Sequence, residues 1–419
     1  MINPAFVQFD DNMFHQLRQL LADIPAAEGL PVINMTIGEP QQPAPELLAA
    51  TVARHDNRWN SYPKPMADES MQADLLAYIE QRFGRKAKEM ITPDAHLVAV
   101  PGTREPLHFL GLCVAASKAD GCALVSNPYY HAWRAGAMAS GGEIIYMNLT
   151  EQTGYLPDLE AVDEADLNRC MIMYICAPSN PHGALADVAW LRQAAKLARQ
   201  HDFLLVVDEC YIDIWRDEQP VGMLRALAED LADDLAEDLP QDPEQDPLRN
   251  IVILNSLSKR SNAAGLRAGF LVGDKRVIAA YIKLISNGGA LLPTPLLRAA
   301  GALYRDQAHQ DRIRAHYDKA FSAAQSILGV APPKGGFFLW LKVRDDIAFT
   351  KILWQHAAIR VMPGRYMAAQ TQAGNPGAGY VRLALVHDHD IIEQALHRIA
   401  PLYAAECADT DIAGDRHVG

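Results

Sequence analysis

Three times in this chain an apolar run long enough for one buried strand ends in a short polar segment whose side chains can do chemistry. The run at 170–176 leads into Ala177-Pro178-Ser179-Asn180-Pro181-His182-Gly183. The run at 203–207 ends in Asp208, with Tyr211 three positions later. The run at 251–254 is followed by Asn255-Ser256-Leu257-Ser258-Lys259 and then Gly265-Leu266-Arg267. Between the first two runs, Val188, Leu191, Ala195 and Ala198 mark one face of a helix over 187–201, which makes a βαβ crossover and a parallel sheet. In such α/β sheets ligands bind at the carboxyl ends of the strands. A single lysine in a loop is usually just solvated. Three strand-then-polar-turn units in order instead place Asn180, Asp208, Tyr211 and Lys259 at one sheet edge.

Those residue types suit pyridoxal phosphate, which needs a lysine for the Schiff base and an acid to keep its ring nitrogen protonated. Lys259 and Asp208 fill those roles, and Asn180 and Tyr211 suit the phenolic oxygen. Ser256, Ser258 and Arg267 offer hydroxyls, backbone N–H groups and a guanidinium fork for the phosphate.

With these segments in hand, the chain resembles the fold-type I, class I/II aminotransferases. The stretches PSNPHG, VVDECY, SLSKRSNAAGLR and NPGAGYVRLAL carry the resemblance, in order, over about residues 30 to 400. It implies an α/β protein whose large domain holds a mostly parallel seven-stranded sheet, joined to a smaller α+β domain. The expected division is an arm and part of the small domain at 1–40 and a large cofactor-binding domain at 41–292. The small domain follows at 293–403, and a polar, frayed tail at 404–419.

The resemblance also assigns roles along the chain. Gly38, in the segment Ile37-Gly38-Glu39-Pro40, matches the glycine whose backbone approaches the substrate. Tyr62 matches the tyrosine that reaches the cofactor phosphate of a neighbouring subunit, so a homodimer is expected. Met66-Ala67-Asp68 and Met71-Gln72 depart from the family pattern beside it. Thr103 and Arg104 follow a strand and open a helix, where backbone N–H groups and the helix dipole attract phosphate. Tyr130 matches the aromatic residue stacked on the cofactor ring, and Arg382 the arginine that clasps the substrate α-carboxylate. An arginine between apolar strand residues needs such a partner, or a structural ion pair, on physical grounds alone.

The 419 residues and 49% hydrophobic content describe a globular chain with ample core. A net charge of −13 argues against nucleic acid as a partner. Six cysteines without a C-x-x-C pair point to a reducing cytosol, and no histidine pair has metal-ligand spacing. No apolar run reaches the ~18 residues of a membrane span, and the acidic N-terminus gives no sign of a signal peptide. Much of the negative charge is local. Nine acids and no lysine or arginine fall between Glu229 and Asp246, in an expected insertion at 222–249. Leu224, Leu227, Leu231, Leu235 and Leu239 give it one apolar helix stripe. Further helices are expected at 43–54 and, as one long stretch, at 296–327.

The expected substrates are small amino acids and 2-oxo acids. SLSKRSNAAGLRAGF with NPGAGYVRLALV resembles the bacterial succinyldiaminopimelate aminotransferases of lysine biosynthesis, with Arg260 as one candidate for the distal carboxylate. A broader enzyme for aspartate, alanine or aromatic donors is the alternative. A regulator built on this fold would carry a DNA-binding domain ahead of it, and only about 30 residues precede the first matching segment. A catalytically silent relative would have lost Lys259, Asp208 or Arg382, and all three are present.

Overall fold

The computed structural model describes residues 12–66, 68–230 and 246–408. Its first strands are β1 (Ile33–Asn34), β2 (Leu97–Val100), β3 (Cys122–Asn127), β4 (Glu143–Asn148), β5 (Cys170–Cys176) and β6 (Leu204–Asp208). There follow β7 (Ile251–Ser256), β8 (Gly269–Gly273), β9 (Phe338–Lys342), β10 (Ile359–Arg360), β11 (Met362–Pro363) and β12 (Tyr380–Ala384).

Seven strands form one sheet in the order β2-β8-β7-β6-β5-β3-β4. From β7 to β4 every pairing is parallel, and only β8 runs against its neighbours. The central strands β3, β5, β6 and β7 are buried along their whole length, as parallel strands covered on both faces must be. Alternate residues feed two separate cores. Val125, Tyr174, Val206 and Leu254 pack on one face, and Leu124, Met173, Val207 and Ile253 on the other.

The helix expected at 187–201 forms as Val188–Gln200, with the Asp187 carboxylate capping it by accepting from Trp190 N at 2.8 Å. It joins β5 to β6, whose parallel register sets Cys176 opposite Asp208. The turn after β5 therefore lies beside the acid that ends β6.

The second sheet, β11-β12-β9, is antiparallel. Arg382 on β12 pairs in register with Trp340 on β9 and Met362 on β11. Strand β1 pairs with β10, and Ala384 N donates to Met35 O at 2.8 Å. Those bonds lay the segment from Thr36 to Gly38 alongside Arg382.

Three expectations are corrected in detail. The helix expected at 43–54 spans Glu46–Arg54. The long helix expected at 296–327 is two helices, Thr294–Arg305 and Gln307–Leu328, because the Asp306 carboxylate accepts from the N–H groups of Ala308 and His309 and starts a new N-terminus. The tail does not fray at 404: the last helix, His389–Ala408, buries Tyr403, Glu406 and Cys407, and Glu406 accepts from the Arg344 backbone and guanidinium. At the acidic insertion a helix runs Met223–Asp230 with Leu224 and Leu227 buried, held at its start by Glu209 Oε1, which accepts from Met223 N at 2.7 Å. Leu231, Leu235, Leu239 and most of the acids lie outside the described residues.

Candidate active site

One cavity of about 450 Å³ gathers Gly38, Thr103, Arg104, Tyr130, Asn180, Asp208, Tyr211, Ser256, Ser258, Lys259, Arg267 and Arg382. Every expected site residue but one lies in it, the distal-carboxylate candidate Arg260 aside, drawn from the carboxyl ends of β5, β6 and β7, the start of the helix Arg104–Cys113 and the small sheet. The exception is Tyr62, which is 99% exposed and absent from the lining.

Lys259 sits in the single turn Leu257–Arg260 directly after β7. Ser256 starts that turn, its hydroxyl accepting from Ser258 N at 3.1 Å and donating to Ser258 Oγ at 3.0 Å. The Lys259 ammonium donates to the Gly38 carbonyl oxygen and lies 5.5 Å from the centre of the Phe337 ring. Burial lowers its pKa to about 8, and the nearby Arg382 and Arg104 charges push the same way. The amine is thus close to losing its proton at neutral pH.

Asp208 is 2% exposed, and burial holds its carboxyl above the usual range. Its Oδ2 accepts from Trp133 Nε1 at 3.1 Å and its Oδ1 from Cys210 N at 3.2 Å. Tyr211 is buried against the edges of Phe337 and Phe338, and burial raises its hydroxyl well above the ordinary tyrosine value. It stays a neutral donor at any working pH.

Arg382 is 4% exposed. It donates from Nη2 to Thr36 O at 2.9 Å and from Nη1 to Asn180 Oδ1 at 3.4 Å, and its guanidinium lies 4.2 Å from the centre of the Phe338 ring. Burial lowers its pKa to about 10. Neutral oxygens and one aromatic face are its company, and no carboxylate pairs with it among the described residues. A Cβ at Gly38 would overlap the Phe338 ring, so glycine is what lets this strap close over the arginine.

At the opposite side, Arg267 adopts a left-handed backbone (φ 54°) and donates to the carbonyls of Pro101 and Ala264 at 3.0 Å each. It thereby joins the serine turn to the segment that leads into Thr103. Arg104 Nε donates to the Tyr130 hydroxyl at 3.2 Å. Arg260 is not in the cavity. It is buried in an ion pair with Asp213 at 2.9 Å, beside the Tyr78 and Tyr304 rings, because the helical turn that aims Lys259 inward aims the next side chain away.

Several cavity residues escaped the sequence reading. Trp133 follows Tyr130 by three positions, the spacing of one helical turn, and that interval was the available signal. Phe338, Cys176, Cys210, His131, Glu39 and the helix residues Met13 and Phe14 carried none. Among the described residues there is no group of three or more His, Cys, Asp or Glu side chains able to hold a metal, and no helix long and apolar enough to cross a membrane.

The residues fit pyridoxal phosphate on their own chemistry. A buried acid without a cationic partner in contact suits a protonated ring nitrogen, and a desolvated lysine suits a carbonyl carbon. A serine turn, an arginine and a helix N-terminus converge where an anion would sit.

Comparison with known proteins agrees. Residues 31–399 match the family model described as aminotransferase class I and II. LL-diaminopimelate aminotransferase of Dehalococcoides mccartyi is 27% identical over 400 residues, covering 93% of this chain and 95% of that protein. Transaminase BacF of Bacillus subtilis is 27% identical, covering 89% of this chain and 90% of its own. The crystal structure of an aminotransferase from Neisseria meningitidis Z2491 superposes with a TM-score of 0.87 at 30% identity, covering 96% of this chain and 100% of that one. The chain belongs to the class I and II aminotransferases, a family whose members use pyridoxal phosphate.

Proposed function

We propose that this aminotransferase serves lysine biosynthesis, exchanging an amino group between glutamate and N-succinyl-2-amino-6-oxopimelate. One observation carries the reading of its substrates as α-amino and 2-oxo acids. Arg382 is a buried cation with no carboxylate partner among the described residues, in the same cavity as Lys259. A substrate carboxylate supplies the missing charge and takes a bidentate contact.

When bound, the cofactor supplies the electron sink that stabilises negative charge at the substrate Cα. The chain does the rest. Ser256, Ser258, Arg267 and the N–H groups of Thr103 and Arg104 would hold the phosphate, Asn180 and Tyr211 would hold the phenolic oxygen, and Tyr130 would cover the ring. Asp208 keeps the proton on the ring nitrogen. Arg382 and Asn180 orient the carboxylate so that the Cα–H bond faces Lys259. With a pKa of about 8, the Lys259 amine sheds its proton readily and moves the one at Cα. Tyr62 is assigned to the cofactor phosphate of a second subunit, which makes the working unit a homodimer.

A second reading takes free LL-diaminopimelate in place of the succinylated substrate. Two observations favour it: several relatives at 25–27% identity are named LL-diaminopimelate aminotransferases, and Glu39 lines the cavity with no ion-pair partner among the described residues. A carboxylate there suits a distal ammonium, which succinylation removes.

A half-reaction titration of the holoenzyme decides. Glutamate, N-succinyl-diaminopimelate, LL-diaminopimelate, aspartate, alanine and phenylalanine are added separately while cofactor absorbance is followed. Conversion at low concentration by glutamate and the succinylated compound supports the first reading, and conversion by the free diamine the second. A win for aspartate, alanine or phenylalanine refutes both. Lys259→Ala must abolish conversion while keeping part of the cofactor affinity; an active Lys259→Ala protein would sink the mechanism.

A further inference from the structure

Trp133 lies in the first turn of the helix His131–Ala139 and is 1% exposed. Its indole N–H donates to Asp208 Oδ2 at 3.1 Å, between two buried side chains. The other carboxylate oxygen accepts from Cys210 N at 3.2 Å. No lysine or arginine is in ion-pair contact with Asp208 among the described residues, so neutral donors alone hold the acid. The same indole meets the Tyr130 ring edge-on, centres 5.9 Å apart at 78°. Trp133 therefore touches both the residue assigned to the ring nitrogen and the residue assigned to the ring face.

The donor is also held in place. Gly136, one turn further along the helix, approaches the Leu107 carbonyl and the Tyr174 hydroxyl so closely that a Cβ would overlap both. Tyr174 OH in turn donates to Leu107 O at 2.8 Å. The helix cannot slide without breaking that contact, and the indole N–H keeps its aim. A fixed neutral donor has a specific advantage here: it stabilises a buried carboxylate without competing, as an arginine would, for the charge that a protonated ring nitrogen must meet.

We propose that Trp133 is a positioning residue for transamination, its indole N–H fixing the Asp208 carboxylate toward the cofactor ring nitrogen and its edge fixing the Tyr130 ring. The inference rests on the cofactor reading of the site. A wild-type protein that shows no cofactor chromophore after reconstitution defeats that reading, whereas the variants below test Trp133 in an enzyme that shows it.

Trp133→Phe keeps the ring and removes the donor. In the holoenzyme kcat for the glutamate half-reaction should fall roughly ten- to hundred-fold, the loss expected for a donor to a buried charge. KM should stay within about three-fold, and the pH titration of the bound chromophore should shift. Trp133→His, which restores an N–H, should recover part of both. In an Asp208→Asn background the Trp133→Phe change should cost little more, since the charge it serves is gone. The proposal is overturned if Trp133→Phe leaves kcat and the titration unchanged. It is equally overturned if the Phe change costs as much without the Asp208 charge as with it, or if a folded Trp133→His holoenzyme is no better than the Phe variant.

Discussion

The Lys259 ammonium donates to the carbonyl oxygen of Gly38, a residue 221 positions away in the chain. The amine that ends the turn after β7 is thus tied to the strap that crosses the small sheet beside Arg382. The segment Thr36–Gly38 therefore accepts from both the lysine proposed for catalysis and the arginine proposed for the substrate carboxylate. Four predictions follow from this geometry and its surroundings.

The first concerns pH. Burial lowers Lys259 from the ordinary lysine value of 10.5 to about 8. Between those values the unfolded chain binds the extra proton, so stability rises with pH there. Below about 8 the buried ammonium costs the fold about 3 kcal/mol. Apoprotein carrying Lys259→Met should therefore be more stable than wild type at pH 7 and converge on it as pH approaches 10.5. Denaturant unfolding at a series of pH values measures this, and equal stability at pH 7 contradicts it.

Arg382→Ala should lower kcat/KM for both amino donor and oxo acceptor by roughly a hundred- to a thousand-fold, the cost of truncating one partner of a buried charge pair. Arg382→Lys keeps a charge but loses the planar fork, and should fall between. Steady-state kinetics with both substrates is the check. A loss confined to one substrate means that Arg382 reads a side chain rather than the shared carboxylate.

Asp213 is the hub of a buried network: Arg82 Nε donates to it at 3.0 Å, Tyr78 OH at 2.8 Å, and the Arg260 guanidinium pairs with it at 2.9 Å. Asp213→Ala leaves two buried guanidinium groups uncompensated and should cost about 3–5 kcal/mol. Urea denaturation reads this. Arg260 serves that network, so an Arg260 variant that stays folded should leave substrate preference unchanged.

Tyr62 is tested by mixing subunits. If its hydroxyl completes a neighbour's site, Tyr62→Ala and Lys259→Ala homodimers should both be impaired. Co-refolding them should restore about a quarter of wild-type activity, because half of the dimers then own one intact site. Mixtures with no gain over the separate variants would place Tyr62 outside the partner's site.

Much of the site could be read from local pattern. Apolar runs of four to seven residues leading to Asn180, Asp208 and Lys259 are legible because a strand buried on both faces has to be apolar throughout, and its first polar residue marks the sheet edge. Asp187 ahead of a helical stripe is legible for the same local reason, since a side-chain acceptor satisfies an orphan N–H. The break at Asp306 is not legible in the same way although its chemistry is identical, because no apolar stripe opens directly after it: Ala308 is the one apolar residue between Tyr304 and Ile313.

What the sequence by itself determined is the set of elements, the residues at their ends and the chemistry those residues can perform. Each depends on neighbours within a few positions. Tertiary structure alone decided which of those residues meet: that Arg260 turns away to Asp213 while Lys259 faces the cavity, that Trp133 reaches Asp208, and that Phe338 lies under Arg382. Those contacts join residues 44 to 75 positions apart. They depend on strand register and helix placement, which the summed packing of both cores sets and no single segment encodes.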